Sequence, residues 1–317
     1  MSIDARRGAK NIYIQLVLEI HQMNIMPRTD LALERRDFLL GSSGSELPGV
    51  KFKRDSIADI KYQIMEITDA ISAEQLGKPI GKYCTVEIEP VMRRESESFY
   101  KAARAASALL GKFLPDDKAE IRALVAGLGN RQITPDAIGP LAAEATLVTR
   151  HLKKFMPEDF RFFREVAVVT PGVLGTTGIE SASFIQSLAR CLDPDIVILV
   201  DALAASSIDH LCRTLQITDT GITPGSGVGN SRDAINKDTL GVPVIAIGVP
   251  TVVDISALLP DVNLDTAEAE ADKTRDMIVT PRNIDSQVAC IGRLLGYSIN
   301  LSLHKGLTVE DIDMLLG

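Results

Sequence analysis

The chain has 317 residues, 45% of them hydrophobic, with a formal net charge of −8 and a pI near 5.2. Such a length and apolar content can fill the core of one large α/β domain, whereas the acidic balance argues against nonspecific nucleic-acid binding, which needs a dense Lys/Arg face. The four cysteines, Cys84, Cys191, Cys212 and Cys290, form no C-x-x-C pair, so neither a zinc knuckle nor a dithiol site is indicated, and reduced thiols in a cytoplasmic protein are expected.

In chain order, IYIQLVLEI (12–20) is apolar but short, interrupted by Glu19 and followed by no small-residue cleavage site, so no export signal is expected. No apolar run reaches the roughly 20 residues that span a bilayer; the longest candidate, GVPVIAIGVPTVVD (241–254), is broken by Pro243 and Pro250. No membrane location is therefore expected. GSSGSELPG (41–49) reads as a flexible linker. From 50 to 92 the pattern favours strands, with Tyr83, Thr85, Glu87 and Glu89 alternating with Cys84, Val86 and Ile88. ESESFYKAARAASALLGKFL (95–114) reads as an amphipathic helix. Short apolar runs then alternate with helical stretches: RALVAGLGN, AIGPLAAEATLVTRHL, EVAVVTPGV, ESASFIQSLARCL and DIVILVDALAA. TLQITDT and PVIAIGVPTVVD add strands, and a long helix covers about 283–304. The alternation predicts an α/β fold, a mostly parallel sheet flanked by helices with a small β-containing N-terminal extension.

In such a sheet, ligand and catalytic groups gather at the carboxyl ends of the strands. Two aspartates stand there. Asp136, in GLGNRQITPDAIGP (127–140), follows a Gly-rich turn where the next helix begins, so helix capping competes with a chemical role. Asp201 directly follows the wholly apolar IVILV; a carboxylate leaving a buried strand is costly unless it is paired, hydrogen-bonded or used. If strand order joins the two, one would hold a proton while the other takes one from water, as in aspartic peptidases.

Rival constellations are weaker. The triplet DTG (219–221) belongs to aspartic proteases of all-β fold, which this alternating chain does not match. TPGSGVGNSR (223–232) lacks the Lys-Ser/Thr ending of a P-loop and reads as a wall of the site. GLGN lacks the third glycine of a dinucleotide fingerprint, Gln132 standing in its place, and no G-x-S-x-G elbow exists. Of His21, His151, His210 and His304, only His210, nine residues after Asp201, lies near the expected site. His151 and His304 read as exposed or satisfied helix residues.

RTDLALE (28–34), GLGNRQITPDAIGP, TPGVLGTTGIES (170–181), VDALAASSID (200–209), ITDTGITPGSGVGNSR (217–232) and GVPVIAIGVPTVVD, occurring in this order, resemble the germination protease family of spore-forming bacteria. These are atypical aspartic endopeptidases that degrade small acid-soluble spore proteins. The resemblance covers about Arg28 to His304. It implies that Asp136 of TPDA and Asp201 of DALAA are the catalytic pair, with no cofactor or metal required. It also implies the fold of the hydrogenase-maturation peptidases, a phosphorylase/hydrolase-like α/β arrangement, and a homotetramer in the forespore or spore core. Those peptidases use nickel, so a metal-dependent peptidase is the alternative mechanism; a nucleotide- or ligand-binding module without catalysis is the non-enzymatic one. Two departures from the family pattern are a short acidic stretch between Leu259 and Met277, where relatives carry a longer insert, and an atypical segment before Arg28.

The family further implies a zymogen that shortens itself. RTDLALE resembles the substrate motif, so the expected organisation is a propeptide-like segment over 1–30 and a single peptidase domain over 31–317, with the cut between Asp30 and Leu31. A tethered copy of the substrate at high effective concentration would also keep a zymogen blocked.

Overall fold

The computed structural model describes residues 28–95, 97–115, 120–229, 232–254 and 277–316. Most of the propeptide-like segment (1–27, with His21) and the acidic stretch between Leu259 and Met277 lie outside the described residues. One nine-stranded sheet organises the rest. Helix α1 (Ala32–Ser43) leads into strands β1 (Val50–Ile57) and β2 (Ile60–Ile67); α2 (Ala70–Leu76), β3 (Gly81–Glu87) and α3 (Ser98–Gly111) follow. After these come β4 (Arg122–Gly127), α4 (Ile138–Glu144), β5 (Glu165–Val169), α5 (Ser181–Leu192), β6 (Ile196–Ala205), β7 (Thr214–Thr218) and β8 (Val244–Asp254). The short β9 (Ile278–Val279) and helices α6 (Ile284–Leu303) and α7 (Val309–Leu316) complete the described chain.

The strand order is β1-β2-β3-β7-β8-β6-β4-β5, with β9 on β8. Strands β5, β4, β6 and β8 are parallel, as expected of strands joined by helical crossovers. The hairpin strands β1 to β3 join them antiparallel through β7 and form the predicted N-terminal β extension. Strand β8 keeps Pro250 in its interior because the β6–β8 register shifts at Leu203/Ala204, and such irregularities are where a strand tolerates proline.

Period-two alternation divides the core into two layers. Ala123, Val125, Ile196, Ile198 and Val200 face the layer built by α3, α4 and α6, including Leu109, Ile138 and Ile291. Leu124, Ala126, Val197 and Leu199 face the other layer with Ile185 of α5. The sheet is thus covered on both faces, which explains why its central strands are apolar throughout.

Two local expectations change. The 41–49 stretch is not a free linker: α1 runs to Ser43, Gly44 closes it with its N–H on the Leu40 carbonyl, and Val50 N–H already bonds Leu47 O. The helix expected over AIGPLAAEATLVTRHL stops at Glu144, and a separate one starts at Arg150, with Leu147 held between them by Asn300 of α6. Among the described residues no helix is long and apolar enough to cross a membrane.

Candidate active site

Strand β4 ends at Gly127, and Leu128 N–H still reaches Val200 O of β6 at 2.8 Å, which fixes the start of the turn. Gly129 has φ +106°, and a Cβ there would lie 2.1 Å from the Asp136 carbonyl oxygen, so the turn closes this tightly only on glycine. The chain passes a 3-10 turn over Thr134–Asp136 and brings the Asp136 carboxylate back to accept Asn130 N–H at 2.6 Å. Asp136 is therefore not the helix cap its local sequence suggests. Helix α4 starts one residue later from Ala137 without a side-chain cap. Burial pushes the Asp136 carboxyl above its ordinary range, and the Asn130 N–H partly offsets this by favouring the ionised form.

Asp201 is not at a strand end either, since β6 continues to Ala205. It is 5% exposed and accepts Ala202 N–H at 2.9 Å. Its pKa lies well above the ordinary carboxylate value, first because burial penalises the charge and then because Asp136 and Asp30 are negative neighbours. The register places Asp201 beside Gly248 of β8 and Gly248 beside Gln216 of β7, so these three share one face in a cross-strand row. The glycine keeps the row open: a Cβ at Gly248 would lie 2.3 Å from Leu203 Cδ1.

The segment Thr29–Glu34 is docked along this row. Asp30 N–H bonds Ala204 O at 2.9 Å, and its carboxylate accepts Ala204 N–H at 2.9 Å and Ser226 Oγ–H at 2.6 Å. The Asp30 carbonyl, which belongs to the Asp30–Leu31 bond, accepts from Lys78 Nζ at 2.8 Å and Gln216 Nε2 at 3.4 Å. Gln216 Oε1 in turn accepts Ala32 N–H at 2.8 Å. Leu31 is fully buried against Leu203, Leu211 and Val253, a burial that contributes on the order of 2 kcal/mol. Glu34 receives Ser206 N–H at 2.7 Å, Ser206 Oγ–H at 2.8 Å and Ser207 N–H at 3.0 Å, with the Thr29 hydroxyl on the same carboxylate. Beside the segment lies a cavity of about 270 Å³.

Asp30, Leu31, Asp136 and Asp201 thus belong to one region of the sheet. His210 does not join them. It sits in the β6–β7 turn, its carbonyl accepting from Arg213 and Thr214, and does not line the cavity. The Asp219 carboxylate of DTG accepts Lys82 N–H at 2.8 Å and ties the β3 edge to β7. The 223–232 loop walls the cavity through Thr223 and Ser226. His304, expected exposed or satisfied, is 1% exposed: Nδ1 accepts Arg164 N–H at 3.2 Å, while Nε2 finds no hydrogen-bond partner among the described residues. Lys78, Gln216 and Ser206 were not singled out by sequence. Gln216 did carry a signal, as the one amide side chain in the wholly buried strand TLQIT.

Among the described residues no three His, Cys, Asp or Glu side chains are grouped to hold a metal ion. The donor set of a metal-dependent peptidase is therefore not assembled among these residues.

The helix-flanked sheet, with Asp136 and Asp201 near the docked Thr29–Glu34 segment, defines an α/β protein. The chain belongs to the germination protease family, whose model matches residues 27–265, and is accordingly a protease. It is 37% identical over 324 residues to the germination protease of Clostridium perfringens, covering 92% of this chain and 99% of that one. It is 43% identical over 252 residues to that of Oceanobacillus iheyensis, covering 77% and 68% of the two chains. A hydrogenase maturation protease from Thermococcus kodakarensis is a structural neighbour at TM-score 0.34 and 18% identity, covering 60% of this chain and 98% of that one.

Proposed function

We propose that the protein is an endopeptidase of the atypical aspartic type that opens small acid-soluble spore proteins during germination, acting in the spore core as a homotetramer. In this reading it is made as a zymogen and cuts itself between Asp30 and Leu31. The observation that carries the proposal is Asp201: buried, with its charge disfavoured by Asp136 and Asp30, on the row that holds the Asp30–Leu31 bond. Asp136, which has an N–H donor on its carboxylate, is the ionised partner and takes a proton from water. Asp201 keeps the proton of the pair and returns it to the leaving nitrogen.

The docked segment supports the choice of substrate. Leu31 fills an apolar pocket, while Asp30 and Glu34 are received by backbone N–H groups and serine hydroxyls, so the site accepts an acidic residue before the cut and another four residues after it. A synthetic peptide spanning TDLALE, incubated with matured enzyme, is expected to give two products split between Asp and Leu, at an undiminished rate after strong chelation. A cut elsewhere contradicts the assigned register, and activity lost on chelation and restored by nickel or zinc contradicts the two-carboxylate mechanism.

A further inference from the structure

We infer that Lys78 is a catalytic residue of the peptidase, its ammonium group polarising the carbonyl of the bond to be cut and holding the oxyanion that forms there. The inference rests on the reading of Asp30–Leu31 as the bond cleaved. Its basis is geometric: Lys78 Nζ lies 2.8 Å from Asp30 O, and Gln216 Nε2 gives that oxygen a second, longer donor at 3.4 Å. Two converging donors, one charged, on the carbonyl of a docked peptide bond form an oxyanion hole, in which charge developing in the transition state meets dipoles already in place.

The chain holds Lys78 rigidly. Helix α2 ends at Gly77 in a left-handed cap, with Gly77 N–H on Glu74 O and Lys78 N–H on Ala73 O. Pro79 follows, and its carbonyl accepts the Tyr83 hydroxyl at 2.7 Å. The residue is half-buried, with its ammonium turned toward the cavity. The charged groups acting on it are Asp30 before α1 and Glu34 and Arg35 on α1. Burial is the largest influence and pushes its pKa down to about 8, opposed by the negative Asp30.

The step balances without a further reactant. Water oxygen bonds to the Asp30 carbonyl carbon as Asp136 takes the water proton, and the carbonyl electron pair moves to oxygen, where Lys78 and Gln216 receive it. The carbon–nitrogen bond then breaks, and Leu31 nitrogen leaves with the proton from Asp201.

The test follows self-cleavage of the full chain, and TDLALE-peptide hydrolysis by matured enzyme, in Lys78→Met, Lys78→Arg and Asp201→Asn, with circular dichroism as the folding control. Lys78→Met is expected to lose about 10²- to 10³-fold in kcat, the usual cost of one oxyanion donor, with KM changed far less. Lys78→Arg is expected to retain activity above the Met variant and to move the alkaline limb of the pH profile upward, because guanidinium stays charged in the range to which burial lowers the Lys78 ammonium. A Met variant within threefold of the parent, or an Arg variant whose alkaline limb stays put, overturns the inference. Should the Met variant not fold, the Arg profile decides alone. Cleavage persisting in Asp201→Asn would instead overturn the two-carboxylate reading, so the two failures are distinguishable.

Discussion

At the scale of single residues, Asp136 and Asp201 differ in what surrounds each carboxylate. Asp136 is half-buried with an N–H donor at 2.6 Å; Asp201 is buried, with Ala202 N–H at 2.9 Å and the negative Asp136 and Asp30 raising its pKa further. In the proposed mechanism this difference in surroundings assigns the base to Asp136 and the acid to Asp201. It also has a consequence for stability. Because the Asp201 pKa is raised in the folded state, the folded protein binds a proton that the unfolded chain has released, so its stability falls as pH rises above the ordinary carboxylate value. Asp201→Asn removes that penalty: a rise in Tm of at least about 2 °C is expected at pH 7, shrinking to nothing near pH 3, where Asp201 is protonated in both states. A thermal melt at the two pH values checks this. Lower stability at pH 7 would mean that the folded state tolerates the Asp201 charge. Sequence singled out both aspartates yet misjudged their local roles. Capping preference describes a carboxylate next to a helix start, whereas the Asp136 carboxylate turns back onto the N–H of Asn130, six residues earlier, a closure that Gly129 permits and only the folded turn reveals.

Among the elements, α6 is where polar burial sets stability. Asn300, fully buried, accepts Leu147 N–H on Oδ1 at 2.8 Å and donates from Nδ2 to Ala145 O at 3.0 Å, pinning the connection after α4. Just beyond the helix, His304 packs tilted against Phe163, with ring centroids 5.2 Å apart, and accepts Arg164 N–H. Burial, then the positive Arg164 and Lys153, push its pKa down from 6.5 to about 4. The stability tied to neutral His304 is complete above the unfolded value and is lost as pH falls through that window. The loss amounts to about 3 kcal/mol by pH 4. His304→Gln keeps an acceptor for Arg164 N–H but does not titrate, so its urea midpoint is expected to vary less than the parent's between pH 6.5 and 4. Equal slopes would place the acid sensitivity elsewhere. The strands were legible from period two in β3 and from continuous apolar runs in β4 and β6. The end of β6 was not, because ALAA after Asp201 is as apolar as a turn-flanking helix start, and only pairing with β8 extends the strand. The insertion of β7 between β3 and β8 rests on long-range pairing that no local pattern encodes.

Across the whole molecule, the docked N-terminal segment joins the antiparallel wing to the parallel half of the sheet. Asp30 and Glu34 bind β6 and the turn after it, Gln216 of β7 grips the backbone on both sides of Leu31, and Lys78 reaches in from the end of α2. RTDLALE stood out in the sequence through its resemblance to the family's substrate motif. The groups that receive it were not, because Lys78 in GKP and Ser206 in AASS acquire their meaning only when four separate elements meet. The central claim is that Asp136 and Asp201 together cut the bond this arrangement presents. It is tested most directly by mass spectrometry of the parent, Asp136→Asn and Asp201→Asn chains after incubation under conditions in which the parent shortens itself. The parent is expected to lose the residues through Asp30 and begin at Leu31, while both variants, folded by circular dichroism, keep their full mass. Either variant trimming itself at the parent rate would contradict that claim.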